Sequence, residues 1–490
     1  MRDISATSVA AAKISPGVAS LTKIDRTAAA GLLALLALLL LATYFTPHIW
    51  HHGEAREGLV IQDIVGHHRW ILPLRSGEVP SKPILYHWVA SCLALLFGLS
   101  DFIVRLPSVI GAALLAGATY TLAAFGTGKR IGLLAVGILA ATFEFWDSGT
   151  EARVDMLFAA LITLTLAAWY AWYRTGCSFA RALAYLAVAL AVLTKGPAGA
   201  VLPALVIVCF LLSQRQLAKL GEFFSWRWLL IVLAIDLGWY GAAYERGGPA
   251  FWEKQIVFEN LKRFFGAAEF DAQRSRAADS LWLVTQLFPW SLLLFSALFR
   301  RLRGLSQDRF GSFLHAWWSA IFVFFLLAAG RRAVYLLPIY PAVATLAARE
   351  GATLLGTCQR FLDARGRRLE AWTLAALAVA LMDMTLAVAT PISRTLEEDQ
   401  SDQEEFFEEV IPKIPASAPL YAAPEFPATA LKVLDYRLKR DIPLRSLKCR
   451  GDYYYLAART PQAACPAKIT VVAARGGRQP LQLWHVEMGR

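Results

Sequence analysis

The sequence predicts a polytopic α-helical membrane protein, with about eleven transmembrane helices, that ends in a small extracytoplasmic α/β domain. Of its 490 residues, 57% are hydrophobic and 18% are charged, and the mean hydropathy of +0.46 lies outside the range of soluble globular proteins. Apolar runs of roughly 17 to 22 residues, the length that crosses the hydrocarbon core of a bilayer, recur as far as residue 391. The composition then changes to that of a soluble domain.

Twelve apolar runs are present, and the charge pattern predicts that eleven of them span the bilayer. If all twelve did, the basic pair Lys129–Arg130 and most later basic loops would lie outside the cytoplasm. The pattern becomes consistent if the run at 83–99 lies along the interface, which suits its His87 and Trp88. This predicts a cytoplasmic N-terminus and an external C-terminus. The runs lie near 29–46, 83–99, 105–126, 131–147, 156–175, 182–195, 197–213, 228–243, 280–299, 312–329, 333–348 and 370–391.

The predicted organisation has three parts. A cytoplasmic segment covers residues 1–28, and a transmembrane domain covers 29–391, with long external loops at 47–104 and 244–279. The extracytoplasmic α/β domain covers 392–490. The polar signatures of the chain therefore fall mainly on one predicted face of the membrane.

The C-terminal region begins with an acidic stretch at 397–409 and continues with alternating apolar pieces such as APLYAA, DYYYLAA and KITVVAA, which predict strands. The segment from Ala428 to Leu438 predicts a helix. Cys449 and Cys465 both lie in this region, and whether they form a disulfide stays open, since it depends on the compartment.

The formal net charge of +12 does not predict a nucleic-acid partner, because lysine and arginine lie mostly in short loops between spans, where they set orientation. We find no CxxC or HExxH metal motif, and the two adjacent histidine pairs lack ligand spacing. The sequence thus predicts no cofactor with certainty and leaves a divalent metal open. The histidine pairs are His51 with His52 and His67 with His68.

Two segments on the predicted external side carry candidate catalytic carboxylates. Glu54, Arg56 and Glu57 follow the first run, and they suit either a salt-bridged helix start or a general base with an arginine that holds its geometry or contacts a phosphate. Asp155 opens a later run. It suits either a helix-dipole partner or a functional carboxylate at the membrane border.

Cations on the same side indicate an anionic ligand, because positive charge is disfavoured in external loops. Anchoring to lipid headgroups is the alternative for each of them. Lys195 is the most informative, since the stretch TKGP separates two apolar runs with almost no connector. The set comprises Lys82, Lys195, Arg263, Arg331 and Arg332.

Eight short stretches, taken together and in order, resemble the GT-C class of integral membrane glycosyltransferases. The resemblance is to the lipid A aminoarabinose transferases and the protein O-mannosyltransferases, and it covers roughly residues 29 to 350, with a weaker similarity in the C-terminal domain. The stretches are GEAREG, VPSKPILYHW, VRLPSVIGA, EARVDM, LTKGPAG, VFENLKRFFG, LFPWS and RAVYLLPIYPA.

The resemblance implies an enzyme that takes a sugar from a polyprenyl phosphate carrier at the external membrane face. By motif position, Lys82 and Arg263 would hold the lipid phosphate with Tyr335 nearby, and Asp155 matches the acid of the second external loop. With the neighbouring cations added, the predicted donor-phosphate site comprises Lys82, Arg263, Tyr335, Arg56, Lys195 and Arg331.

The chain departs from the family pattern at two positions. The family usually has Asp-Glu where this chain has Gly53-Glu54, so either Glu54 serves as the base or Asp155 does. The acid that commonly precedes Lys-Pro, a metal ligand in some relatives, is Ser81 here.

The predicted function is transfer of a sugar from a polyprenyl-phosphate-linked donor to a hydroxyl or phosphate of an acceptor by an inverting displacement. The acceptor is a glycolipid, a glycan or a protein, and the predicted location is a bacterial-type inner membrane, in contact with its lipids. The alternative is a transporter or flippase of lipid-linked sugars. Against it, charged residues are rare within the spans, the main exceptions being Glu144, Asp236 and Asp383.

Overall fold

The computed structural model shows a long bundle of apolar helices followed by a small mixed α/β unit. It describes residues 26–46, 48–266, 281–305, 308–330, 332–364, 371–395, 405–447, 452–458, 468–475 and 481–487.

Helices account for most of the described chain, and at least part of every predicted apolar run is helical. Among the described residues, the α-helices of eight residues or more are α1 (Arg26–Phe45), α2 (His52–His67), α3 (Leu85–Phe97), α4 (Asp101–Thr127), α5 (Lys129–Ala140), α6 (Phe143–Thr150), α7 (Val154–Thr175), α8 (Ser178–Lys195), α9 (Ala198–Ser213), α10 (Trp226–Phe251), α11 (Trp290–Leu302), α12 (Arg309–Leu327), α13 (Tyr340–Ala364), α14 (Ala371–Thr395) and α15 (Ala428–Leu438). A π-helix, Trp252–Lys262, continues α10, and a 3₁₀ helix, Ala333–Ile339, precedes α13.

The helices confirm a multi-pass membrane protein. Within the described residues, six helices are long and apolar enough to cross a bilayer, or seven if α5 and α6, bent by 71° at their junction, form one span. The total of eleven spans and their orientation stay predictions. Helix α3 has 13 residues, which is shorter than the roughly 20 that a span needs. That length suits the interfacial position predicted for 83–99.

Helix α7 lies at the centre of the bundle, and most of its residues are buried. Its N-terminal half packs against α4 with backbones almost in contact, since a Cβ added at Gly111 would lie 2.8 Å from the Leu157 Cα. Its C-terminal half joins a cluster of aromatic rings, in which the Tyr170 and Phe313 centroids are 4.6 Å apart. This packing fixes the end of α7 that carries Asp155.

The C-terminal unit contains a four-stranded sheet in the order β1-β2-β4-β3. The pair β1–β2 is parallel and the other two pairs are antiparallel. The predicted strands and the predicted helix at 428–438 are confirmed, whereas the domain boundaries stay predictions and both Cys449 and Cys465 lie outside the described residues. The strands are β1 (Leu420–Ala422), β2 (Tyr453–Ala457), β3 (Lys468–Arg475) and β4 (Leu481–Glu487).

Helix α15 joins this unit to the first loop of the bundle. A Cβ added at Gly58 of α2 would lie 2.4 Å from the Tyr436 ring, so only glycine admits this ring. The Gln62 amide donates to the Tyr436 carbonyl at 2.8 Å, and the Tyr436 hydroxyl donates to Asp101 at 2.8 Å. The C-terminal unit is therefore seated on the end of the bundle where the candidate site residues lie.

Candidate active site

One cavity of about 300 Å³ brings together four of the residues that the sequence places at a donor-phosphate site. Lys82, Lys195, Arg263 and Tyr335 all line it, although they come from four segments that are far apart in the chain. In the sequence, only charge or motif position indicates each of them. The fold brings all four together at one end of the bundle.

Lys195 enters the cavity from the C-terminal end of α8. The chain then turns at Gly196, whose φ of +81° suits glycine and where a Cβ would lie 3.3 Å from the Asn260 side chain. The Lys195 ammonium forms an ion pair with Asp155 in the first turn of α7. It also lies 4.3 Å from the centroid of the Tyr335 ring. Lys195 thus connects the carboxylate of α7 to the cavity.

Lys82 and Arg263 share a carboxylate, Glu259, on the π-helix. The Lys82 ammonium lies 2.8 Å from one carboxylate oxygen of Glu259, and the Arg263 guanidinium lies 3.4 Å from the other. The Gln255 amide on the same helix donates to the carbonyls of Pro80 and Lys82 at 3.0 and 2.9 Å. The π-helix therefore anchors the Lys82 turn, which agrees with the frequent placement of π-helical turns at functional sites.

Glu259 is not among the site residues that the sequence predicts. The signal was present, because VFENLKRFFG places Glu259 four residues before Arg263, on the same face of a helix. What the sequence does not show is its second partner, Lys82, which lies 177 positions earlier.

Tyr335 is the hydroxyl donor of the cavity. The Arg263 guanidinium donates to its oxygen at 3.1 Å, which leaves the phenolic hydrogen to bind another group. Lys195, Lys82 and Arg263 all line the cavity beside this hydroxyl, and together they would attract an anion.

The other wall of the cavity is apolar and belongs to the helices of the bundle. A cluster of cations next to such a wall fits an amphiphile that has an anionic head and a hydrocarbon tail. The apolar lining includes Phe158, Val201, Phe264, Phe265, Phe324 and Phe325.

Glu54 has a different environment from the one expected of a general base. Its two oxygens accept from the Arg105 guanidinium at 2.8 and 2.7 Å, and one also accepts from the backbone N–H of Ala152 at 2.8 Å. Both side chains are buried, at 5% and 2% exposure. Glu54 does not line the cavity, and this bidentate ion pair engages both of its oxygens.

Arg56 does not line the cavity either, although the sequence assigns it to the donor phosphate. Its guanidinium lies 3.2 Å from Glu57, whose other oxygen is 2.8 Å from the buried His87 ring. Burial raises the pKa of Glu57, but these partners outweigh it and lower the pKa to about 2. Arg331, also assigned to the phosphate, lies outside the described residues.

Comparisons with known proteins agree with this architecture. Residues 81–239 match the family model described as dolichyl-phosphate-mannose-protein mannosyltransferase. The chain is 31% identical over 323 residues, or 65% of its length, to an uncharacterised protein of Aquifex aeolicus strain VF5. It is 26% identical over 377 residues, 73% of its length, to undecaprenyl phosphate-alpha-4-amino-4-deoxy-L-arabinose arabinosyl transferase 2 of Proteus mirabilis. It spans 63% and 66% of these two relatives.

The solved structures decide the fold. ArnT from Cupriavidus metallidurans, bound to undecaprenyl phosphate, superposes with a TM-score of 0.76 at 16% identity, covering 93% of this chain and 97% of that one. The chain has the GT-C fold. The archaeal oligosaccharyltransferase AglB from Archaeoglobus fulgidus is a more distant neighbour, with a TM-score of 0.52 at 14% identity over 84% of this chain and 64% of that one. The resemblance inferred from the sequence is confirmed.

Within the GT-C fold of this chain, no group of three or more histidine, cysteine, aspartate or glutamate side chains with the geometry of a metal site occurs among the described residues. Glu259, which lines the cavity, and Asp155, which contacts the lining residue Lys195, are instead paired with cations.

The Glu54–Arg105 pair generates a stability prediction. Replacing Glu54 with Gln leaves a buried guanidinium without its counter-charge, so we expect the free energy of unfolding to fall by about 3–5 kcal/mol. Chemical denaturation of the purified protein in detergent measures this. The matched control is Glu409→Gln, which breaks a half-exposed pair with Lys413 and should cost less than about 1 kcal/mol. Equal stability of both variants would contradict the structural role of Glu54.

Proposed function

We propose that this protein is a polyprenyl-phosphate-sugar-dependent glycosyltransferase. The observation that carries the proposal is the cavity in which Lys82, Lys195, Arg263 and Tyr335 meet beside an apolar wall. The chain also shares its fold with an ArnT structure that holds undecaprenyl phosphate and resembles, over part of their length, transferases named for that carrier. The three cations and the hydroxyl bind the donor phosphate, and the polyprenyl tail lies along the apolar wall.

The charge of the cavity matches that of such a donor. Lys82, Lys195 and Arg263 contribute three positive charges, and Asp155 and Glu259 contribute two negative ones, which leaves a single positive charge. A sugar linked to a polyprenyl phosphate is a phosphodiester and carries one negative charge. The bound donor therefore neutralises the cavity, as a low-dielectric site at the membrane surface requires.

Asp155 is the carboxylate that acts as the base in this proposal. The donor phosphate competes with Asp155 for Lys195 and loosens their ion pair as it binds. An acceptor oxygen then attacks the anomeric carbon, the bond from that carbon to the phosphate oxygen breaks, and its electron pair stays on the phosphate. The proton of the acceptor passes to Asp155. A single displacement of this kind inverts the anomeric configuration.

The charges still balance after transfer. The polyprenyl phosphate that leaves is a monoester with a charge near −2. Once Asp155 has taken the proton, only Glu259 opposes the three cations, and the cavity carries two positive charges. No other described carboxylate pairs directly with Lys195, so Glu54 takes no part in the chemistry and holds the loop in place.

The orientation of the site in the membrane and the cellular location of the protein are part of the same proposal. The site faces the external side of a bacterial-type inner membrane, the N-terminus is cytoplasmic, and the acceptor approaches from that external side. The proposed reaction transfers a glycosyl group from the donor to an oxygen nucleophile of the acceptor.

Binding of the carrier lipid tests the phosphate site. We expect Lys82→Gln and Arg263→Gln each to weaken binding of undecaprenyl phosphate by about tenfold or more, because each removes a charge-assisted hydrogen bond. Isothermal titration calorimetry on the purified protein measures the affinity. Lys262→Gln is the control, since this half-exposed neighbour of Arg263 pairs with Glu253 outside the cavity. Unchanged affinity in both cavity variants would contradict the assignment.

Turnover of the donor tests the base. Wild type should release undecaprenyl phosphate from a lipid-linked sugar in the presence of an acceptor extract, and Asp155→Asn should lower the rate by about 10²-fold or more while still binding the carrier. Glu54→Gln, compared per folded molecule, should retain turnover. Wild-type turnover in Asp155→Asn would contradict the proposal. Movement of the lipid-linked sugar across vesicles without transfer would support the transporter instead.

A further inference from the structure

A second cavity, of about 940 Å³, lies between α1, α5 and α14. As far as the structure describes the two linings, it shares no residue with the donor cavity. It is open along one side, and the neighbours of its lining residues, Leu33, Leu381 and Met384, are each more than half exposed. The cavity is therefore a groove on the outer surface of the helix bundle, where a membrane protein meets the bilayer.

Uneven spacing of the three helices creates the groove. Helix α14 is in close contact with α5, since a Cβ added at Gly137 would lie 2.7 Å from a methyl carbon of Val379. Helix α1 stands further away, since a Cβ added at Gly31 would have one side chain within 4 Å, that of Leu133 at 3.8 Å. Small residues of this kind let the backbone of another helix come close. The lining also includes Ala34, Ala140 and Ala380.

Asp383 on α14 is the one acidic residue in the described lining of the groove. Its Oδ1 atom is buried and has no hydrogen-bond partner within the described residues. An unpaired carboxyl oxygen in apolar surroundings is costly, and ionisable side chains inside a membrane usually face a partner. Asp383 therefore indicates that the occupant of the groove supplies a hydrogen-bond donor or a positive charge.

Arg130 in the first turn of α5 is the one cation in that described lining. Its side chain is exposed and makes no ion pair in the part of the chain that the structure describes. Because Gly137 is level with Val379, Asp383 lies about eleven residues of helix, or about 16 Å, beyond Arg130. The hydrocarbon core of a bilayer is about 30 Å thick, so Asp383 lies near its middle when Arg130 is at one surface.

This arrangement of charges selects among the possible occupants. The acyl chain of a bilayer lipid offers no hydrogen-bond donor at the depth of Asp383. A second copy of this chain that used the same groove would bring another Asp383 carboxyl to that depth. A transmembrane helix of a partner protein can carry both an acid and a base on one face, because eleven residues make about three turns.

We propose that the groove binds a single transmembrane helix of a partner protein, which presents an acidic side chain to Arg130 and a basic one to Asp383. The charge pattern identifies the partner, an acid at the predicted cytoplasmic surface and a base about three turns deeper. The proposal goes beyond the donor cavity, and helix binding can be measured without any sugar transfer.

The test uses designed helices in phosphatidylcholine vesicles. The first probe is a leucine–alanine helix of about 24 residues, with Glu at one membrane surface and Lys about eleven residues further. The second probe has Leu in place of Lys, and the third has Glu and Lys exchanged. Förster transfer between labelled probe and labelled full-length protein measures association. We expect the first probe to bind about tenfold more tightly than the others, because it alone pairs both charges.

Two pairs of variants locate the binding. Asp383→Leu should remove the preference for the first probe over the second. Asp236→Leu should keep it, because Asp236 also has a buried Oδ1 without a partner in the described chain but lies outside the groove, on α10. Gly31→Leu fills the groove and should weaken binding of the first probe by about tenfold or more. Gly117→Leu on α4, where an added Cβ meets nothing within 4 Å, should not. Thermal unfolding checks that each variant is folded.

Equal binding of the first two probes to wild type would overturn the proposal, as would an unchanged preference in folded Asp383→Leu. Native mass spectrometry separates a helix from a lipid as the occupant. Retention of phosphatidylglycerol that is lost in Arg130→Gln, together with no binding of the first probe, would assign the groove to bilayer lipid and also overturn the proposal.

Discussion

The ion pair between Lys195 and Asp155 is the interaction on which the arrangement of the cavity depends. It joins the end of α8 to the start of α7, and Lys195 also packs against the Tyr335 ring. Tyr335 in turn accepts from Arg263, and Glu259 links Arg263 to Lys82. Six charged or polar groups from five segments are thus held in one series of contacts, and removing either carboxylate would leave a largely buried cation without its counter-charge.

Two further contacts fix the segments that surround these side chains. The buried pair of Glu54 and Arg105 ties the first loop to α4 and, through the backbone of Ala152, to the start of α7. Tyr436 of α15 sits over Gly58 and seats the C-terminal unit on the same loop. The loop that supplies Lys82 is therefore fixed on both sides. We infer that this rigidity lets a mobile lipid headgroup meet preorganised charges, which is how such sites stabilise developing charge.

The sequence was sufficient to predict the helical bundle and the strands of the C-terminal unit, and it indicated three cations that the fold brings into one cavity, Lys82, Lys195 and Arg263. Apolar runs and basic residues in the loops are local features, which can be recognised in the sequence without knowledge of the fold. The partner of a charged side chain, in contrast, cannot be recognised from the local sequence. Arg105 begins an apolar run, so nothing marked it as the partner of Glu54, and the link from Lys82 to Glu259 crosses most of the bundle. The surroundings of the two carboxylates, Glu54 and Asp155, depend on those pairings, so the difference between them is visible only in the folded chain.

In the proposed reaction, the charge of the cavity matches the charge of the bound phosphate both before and after sugar transfer. Calorimetric titration of undecaprenyl phosphate into the purified protein, at about pH 8 and in buffers of different ionisation enthalpy, measures the protons taken up on binding. The account predicts uptake of about one proton by wild type, because a dianionic lipid enters a cavity with one positive charge, and about none by Asp155→Asn. Absence of uptake by wild type, or equal uptake by both proteins, would contradict it.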